Sequence, residues 1–127
     1  MRKKILIIDD DKMMCDLITE FLGERGGYEV SSATNGKDGL RTAIKLQPHL
    51  IILDIMMPGI DGLEVLKKLK KDEKTVKIPV VMLTGVSDSS IKHECSRLYD
   101  EMYLEKPVEL AVLKTKIEEV LKWDGIT

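Results

Sequence analysis

The sequence predicts an α/β fold in which a parallel sheet is covered by helices on both faces. Two observations carry that reading. Short apolar runs alternate with longer helical patterns five times along the chain, the signature of repeated βα units. Several runs, such as Ile5 to Ile8, are continuously apolar, as strands buried on both faces must be. A third observation concerns chemistry. The runs end on reactive side chains: Asp9 and Asp10 after the first, Asp54, Thr84 and Lys106 after later ones. In an open parallel sheet the carboxyl ends of neighbouring strands converge on one crevice, so residues far apart in sequence can build one site. Acids, a hydroxyl and a lysine together suggest phosphate chemistry on a carboxylate.

Each element has its own justification. After Ile5 to Ile8, Asp11 stands where an acid caps a helix start. Met14, Leu17, Ile18, Phe21 and Leu22 then follow the spacing of a helix with one buried stripe, and Gly23 and Gly26-Gly27 are expected to stop it. Tyr28 to Ala33 reads as the second strand. Asn35 caps a helix burying Leu40, Ala43 and Ile44, which Pro48 ends. His49 to Asp54 is the third strand. In the turn that follows, Asp61 with Glu64 three residues on forms a capping-box pattern for a helix carrying Leu66 and Leu69. Ile78 to Leu83 is strand four. Ile91, Cys95 and Leu98 give the next helix its buried face, and Met102 to Glu105 is a short fifth strand. Leu110, Leu113, Ile117, Val120 and Leu121 mark the last amphipathic helix.

Composition narrows the function classes. A chain of 127 residues with 43% apolar and 33% charged residues suits one globular domain over 1–127. A formal charge of −2 gives no global pull toward nucleic acid or anionic lipid. Cys15 and Cys95 have no metal-ligand spacing and fit a reducing compartment as ordinary packed thiols. The basic start resembles a signal's charged region, but its apolar run stops at Asp9, too soon for a signal core or a membrane span. A cytoplasmic protein is expected. Lysines 67, 68, 70, 71, 74 and 77 read as a solvated face, and His49 and His93 receive no catalytic role.

Four motifs in order carry a family resemblance: Ile-Ile-Asp-Asp at 7–10, Leu-Asp-Ile-Met-Met-Pro-Gly-Ile-Asp-Gly at 53–62, Leu-Thr-Gly at 83–85 and Glu-Lys-Pro at 105–107. Over essentially its whole length the chain resembles the receiver domain of two-component response regulators. The resemblance implies a flavodoxin-like, doubly wound (βα)5 fold with strand order 2-1-3-4-5, whose ligand crevice opens between strands one and three. It implies that Asp54 accepts a phosphoryl group from a phosphohistidine on a sensor histidine kinase, and that the phosphorylated chain then binds a partner or passes the group to a histidine phosphotransfer protein. Mg²⁺ would be held directly by Asp10 and Asp54, by Asp9 mainly through water, and by the backbone carbonyl of Met56. Lys106 would offset charge on the phosphoryl oxygens, aimed by a cis bond to Pro107. Thr84 and Tyr103 would form the switch that alters the face of the fourth helix, fifth strand and fifth helix for a downstream protein partner.

The same resemblance implies no enzyme turnover beyond self-phosphorylation and self-dephosphorylation. No direct nucleic-acid or membrane partner is expected, nor an output domain, since the chain ends soon after the last helix; a monomer or weak dimer is expected, with the oligomeric state left open. Two departures bear on the output face: Tyr99-Asp100 replaces a common Gly-Ala, and Met102 replaces an acid that the transcription-factor branch uses in pairing. The bulk of Met56 and Val86 is expected to hinder water and prolong the phosphorylated state. Two other readings stand beside this one. A haloacid-dehalogenase-like phosphatase would use Asp9 as nucleophile and Asp11 as acid/base, with Thr84 and Lys106 in support, but would leave Asp54 unexplained. A degenerate receiver would serve only as a binding module, against which the intact set Asp9, Asp10, Asp54, Thr84 and Lys106 argues.

Overall fold

The computed structural model describes residues 2–57, 59–85 and 102–123. Five strands run parallel: β1 (Lys4–Ile8), β2 (Glu29–Ala33), β3 (Leu50–Asp54), β4 (Val80–Thr84) and β5 (Met102–Glu105). Their order is β2-β1-β3-β4-β5, as the family resemblance implies. The chain steps outward from β1 to β2 and then crosses back to β3, so the topology reverses between β1 and β3. Four helices are described: α1 (Lys12–Gly26), α2 (Gly36–Leu46), α3 (Gly62–Lys71) and α4 (Leu110–Trp123). The helix expected around Ile91, Cys95 and Leu98 lies outside the described residues, as do Pro58, Val86, His93 and Tyr99-Asp100.

The unbroken apolar runs have the physical cause expected of them. All residues of β3 and β4 are buried, because successive side chains point to opposite faces and both faces are covered. Leu6, Ile8, Ile51, Leu53 and Met82 join the layer that contains Val65, Leu66 and Leu69 of α3. Ile5, Ile7, Leu50, Ile52 and Val81 join the opposite layer, with Cys15, Ile18 and Leu22 of α1 and Leu113, Ile117 and Leu121 of α4.

Helix starts follow the sequence closely. The Asp11 carboxylate accepts the Met14 N–H at 3.2 Å, Asn35 accepts from Asp38 at 2.8 Å, and Asp61 accepts from Glu64 at 3.0 Å. Each satisfies a backbone donor that the first turn leaves open. β2 and β3 each begin one residue later than expected, at Glu29 and Leu50, and other interiors and ends depart further. Leu17, expected in the buried stripe of α1, is 51% exposed; the stripe turns instead through Cys15, Ile18 and Leu22. Gly23 does not stop α1, which runs to Gly26 and is capped by Gly27 in the left-handed region, where glycine carries no steric penalty. Strand four begins at Val80 rather than Ile78, and Lys70 is no plain solvated lysine. Its ammonium donates to the Ile78 carbonyl at 3.0 Å and the Val76 carbonyl at 3.3 Å, holding the approach to β4. His49 has a backbone role at the opposite end of the sheet from the acids: its ring Nδ1 accepts the Lys4 N–H at 2.9 Å, and its own N–H donates to the Lys4 carbonyl at 2.8 Å.

The loop from β3 to α3 depends on one close approach. Gly62 donates its N–H to the Ile55 carbonyl at 2.7 Å, and a Cβ at this position would lie 2.5 Å from both the Asp54 carbonyl oxygen and the Ile55 Cα. Both obstacles are backbone and cannot swing aside. Gly62→Ala is therefore expected to displace the loop that follows Asp54 and to lower stability by about 1–3 kcal/mol, the range for overpacking a tight site. Denaturant unfolding checks this, and an unchanged midpoint would contradict the role given to the contact.

Candidate functional site

Sheet register brings the site together. Ile8 pairs with Leu53, so the next residues, Asp9 and Asp54, stand side by side at the carboxyl ends of β1 and β3. Asp54 pairs with Leu83 and Thr84 with Glu105, which places Thr84 and then Lys106 along the same edge. The Lys106 N–H donates to the Thr84 carbonyl at 2.6 Å. This edge, at the point where the topology reverses, is where open α/β sheets bind ligands.

Asp9 is fully buried and Asp54 is 2% exposed, while Asp10 is exposed at the rim. One carboxylate oxygen from each of the three lies within 4.8 Å of the others. The Lys106 ammonium stands 3.0 Å from Asp54 Oδ1 and 3.7 Å from Asp9 Oδ2. The two buried carboxylates thus share one cation across these contacts. Burial pushes the Asp54 carboxyl up to about 6; the hydrogen bond from Lys106 opposes this and the Asp9 charge adds to it. Burial works against the Lys106 ammonium, but the hydrogen bond and charge of Asp54, then the charges of Asp9 and Asp10, outweigh it and hold its pKa above the ordinary lysine value.

Asp9 shows what the cluster is suited to hold. Its Oδ1 accepts the Asp11 N–H at 3.0 Å, whereas its buried Oδ2 makes no hydrogen bond among the described residues. An interior anionic oxygen with no hydrogen bond, facing an ammonium only at 3.7 Å, is under-satisfied and costly. Three hard oxygen donors of excess negative charge fit a small divalent cation of the Mg²⁺ type, which takes one or two carboxylates and keeps its remaining positions for water and phosphate oxygens. The donor set thus fits the metal expected from the sequence.

The other predicted residues are distributed around this cluster. Thr84 is 1% exposed, and its hydroxyl donates to the Leu104 carbonyl at 3.4 Å, directed toward β5. Tyr103 pairs in register with Met82 and packs against the core layer containing Leu6 and Ile8, its hydroxyl buried. Met56 follows Asp54 in the loop and is 49% exposed. The Lys106-Pro107 peptide is cis. One neighbour of the site was not foreseen: the thiol of Cys15, buried on α1, donates to the Asp9 backbone carbonyl at 3.3 Å. Its place could have been read from the i, i+3, i+7 spacing of Cys15, Ile18 and Leu22, which defines the inner face of α1.

The family model described as the response regulator receiver domain matches residues 5–118. The chain belongs to the response regulator receiver family. It is 39% identical over 119 residues to the DNA-binding dual master transcriptional regulator RpaA of Synechocystis, covering 94% of this chain and 49% of RpaA. To Protein PilH of Pseudomonas aeruginosa it is 36% identical over 118 residues, covering 93% of this chain and 97% of PilH. The chain therefore spans about half the length of RpaA, and 53% of the similar phosphate regulon regulator PhoB of P. aeruginosa, but nearly all of PilH. Among solved structures, chemotaxis protein CheY4 of Vibrio cholerae superposes with a TM-score of 0.86 at 28% identity, covering 94% of this chain and 99% of CheY4. A signal receiver domain of a histidine kinase from Syntrophus aciditrophicus gives 0.88 at 28% identity, covering 98% of this chain and 94% of that one. As a receiver, the chain is a component of two-component signal transduction. No helix among the described residues is long and apolar enough to cross a membrane.

The raised Asp54 pKa gives a stability signature for this receiver without metal. A carboxyl whose pKa is about 6 folded, against an ordinary 3.8, binds its proton more tightly in the folded state. Its contribution is most favourable below about pH 4 and is lost as pH rises through 6, by up to about 3 kcal/mol. In chelator, the stability of the wild type relative to Asp54→Asn is expected to fall as pH rises from about 4 to about 7. Parallel denaturant curves for the two proteins across that range would contradict the assignment.

Proposed function

We propose that Asp54 is the acceptor of a phosphoryl group delivered from a phosphohistidine on a sensor kinase, and that the acyl phosphate so formed controls binding to a downstream protein or passes its phosphoryl group to a histidine phosphotransfer protein. The observation that carries this reading is the Lys106 ammonium held 3.0 Å from Asp54 and 3.7 Å from Asp9, at the carboxyl edge of the sheet where the topology reverses between β1 and β3. A nucleophilic carboxylate, a cation for the incoming charge and a cluster of hard oxygen donors are the parts that phosphoryl transfer to a carboxylate requires.

In the transfer, an oxygen of Asp54 attacks phosphorus, an O–P bond forms, and the N–P bond of the phosphohistidine breaks. The electron pair of that bond leaves with the imidazole. Asp54 must be ionised to attack, and its pairing with Lys106 favours the charged form against burial. Lys106 is also positioned to turn from the carboxylates toward phosphoryl oxygens as negative charge collects there. Asp9, Asp10 and Asp54, with the Met56 carbonyl, would hold Mg²⁺, which supplies positive charge against the phosphoryl oxygens. Later attack by water on phosphorus returns Asp54 and inorganic phosphate; Met56, and Val86 outside the described residues, would slow that step by bulk.

The switch reading rests on Thr84 and Tyr103. A phosphoryl group on Asp54 offers the Thr84 hydroxyl a charged acceptor in exchange for its 3.4 Å bond to the Leu104 carbonyl, and charge-assisted bonds are the stronger kind. Withdrawal of that hydroxyl from β5 would leave space beside Tyr103 and bias the face around β5 and α4 toward its active arrangement, a shift between existing states. The setting is expected to be cytoplasmic, with no membrane or nucleic acid bound directly. Because the family is shown, the phosphatase reading is set aside, and the convergence of Asp9, Asp10, Asp54 and Lys106 supports an active rather than a degenerate receiver.

Intact-mass spectrometry after incubation with Mg²⁺ and acetyl phosphate tests the acceptor. The wild type is expected to gain one phosphoryl group and Asp54→Ala none. An adduct that persists in Asp54→Ala, or a wild type that neither gains an adduct nor binds beryllofluoride, would overturn the reading.

A further inference from the structure

The polar atoms of Asp9 are accounted for with one exception. Its N–H donates to the Ala33 carbonyl at 3.1 Å, its own carbonyl accepts the Cys15 thiol at 3.3 Å, and its Oδ1 accepts the Asp11 N–H at 3.0 Å. The remaining atom is Oδ2, buried, without a hydrogen bond among the described residues and facing Lys106 at 3.7 Å. The residue is thus clamped from β2 on one side and from α1 on the other, with Oδ2 turned toward the Lys106 ammonium that Asp54 also contacts. We propose that Cys15 is a positioning residue: its S–H···O bond fixes the Asp9 backbone so that Oδ2 is presented to a divalent cation.

Three features support this. Cys15 is 1% exposed and packed with Ile18 and Leu22, so its direction is set by the core rather than by solvent. Its sulfur lies 3.3 Å from the Asp9 carbonyl oxygen, which can only accept, so the thiol is the donor of this contact. A hydrocarbon side chain could fill the same space but would leave the Asp9 carbonyl with one partner fewer in a dry environment. Groups that orient a metal ligand from behind commonly set its affinity. The inference rests on the metal reading given above and adds a residue to it.

Calorimetric titration with Mg²⁺ alone, on wild type, Cys15→Val and Cys15→Ser, separates donor from bulk. Denaturant stability in chelator is measured beside it. Cys15→Val keeps the apolar volume and loses the donor; it is expected to remain folded and to bind Mg²⁺ about threefold to tenfold more weakly, below the usual effect of such groups because a thiol is a weak donor. Cys15→Ser keeps a donor and is expected to lie closer to wild type in affinity even where its stability is lower. Wild-type affinity in Cys15→Val would overturn the role of the thiol alone. Equal losses in the Ser and Val variants would assign the effect to packing and overturn it too. If Cys15→Val does not fold, the Ser variant decides: affinity near wild type despite reduced stability supports the role, and a loss beyond about tenfold contradicts it. A wild type that takes up no Mg²⁺ would overturn the metal reading and this role together.

Discussion

Two carboxylates, Asp9 and Asp54, are buried side by side and share the ammonium of Lys106. This imbalance is the constraint on which the rest of the site depends. Placing like charges together in an interior is unfavourable, and here the sheet imposes it: the register that seats Ile8 against Leu53 leaves the two acids no other location. The large apolar core supplies the stability that this arrangement costs. β1, β3 and β4 contribute side chains to both layers, and the strain of charge is confined to their carboxyl ends.

The molecule divides accordingly into an edge that fastens the strands and an edge that gathers the acids and the lysine. At the amino ends of the strands, His49 and Lys4 exchange backbone and ring hydrogen bonds, a local fastening that extends the β1–β3 pairing. At the carboxyl ends the same ladder is continued by the Asp9 N–H to Ala33, Ile55 to Leu83 and Lys106 to Thr84, so reactive side chains hang from rigid backbone. Pre-organisation of this kind is what electrostatic catalysis requires, because the groups need not reorganise as charge moves. The site also connects outward: Thr84 bonds to β5, and Tyr103 on that strand packs into the α2–α3 layer. On the proposed switch, a change of partner at Thr84 would be felt at this strand.

Much of this was legible in the sequence because the controlling signals are local or strictly periodic. Caps at Asp11, Asn35 and Asp61 follow from side chains that reach their own backbone. The strand order was implied by the family resemblance that the ordered motifs carry, and the convergence of the acids by their places at the carboxyl ends of the apolar runs. What escaped depended on tertiary direction. Leu17 fits a helical stripe by spacing, yet the axis of α1 turns Cys15 inward and leaves Leu17 half exposed. Lys70 looks like its neighbours until the loop beyond Lys71 returns beneath it and offers two carbonyls. The spacing of Cys15, Ile18 and Leu22 marks the inner face of α1, but that the thiol meets the Asp9 carbonyl six residues back depends on how the helix seats on the sheet.

The central claim is that the buried negative charge of Asp9 and Asp54 exceeds what Lys106 neutralises and is completed by a divalent cation. Thermal unfolding in chelator and in millimolar Mg²⁺ tests it most directly, because any ligand that binds the folded state alone raises its stability by mass action. The account predicts a higher midpoint with Mg²⁺ for the wild type and a much smaller shift for a chain with both acids replaced, Asp9→Asn with Asp54→Asn. A wild-type midpoint that Mg²⁺ does not move, or an equal shift in the doubly substituted chain, would contradict it.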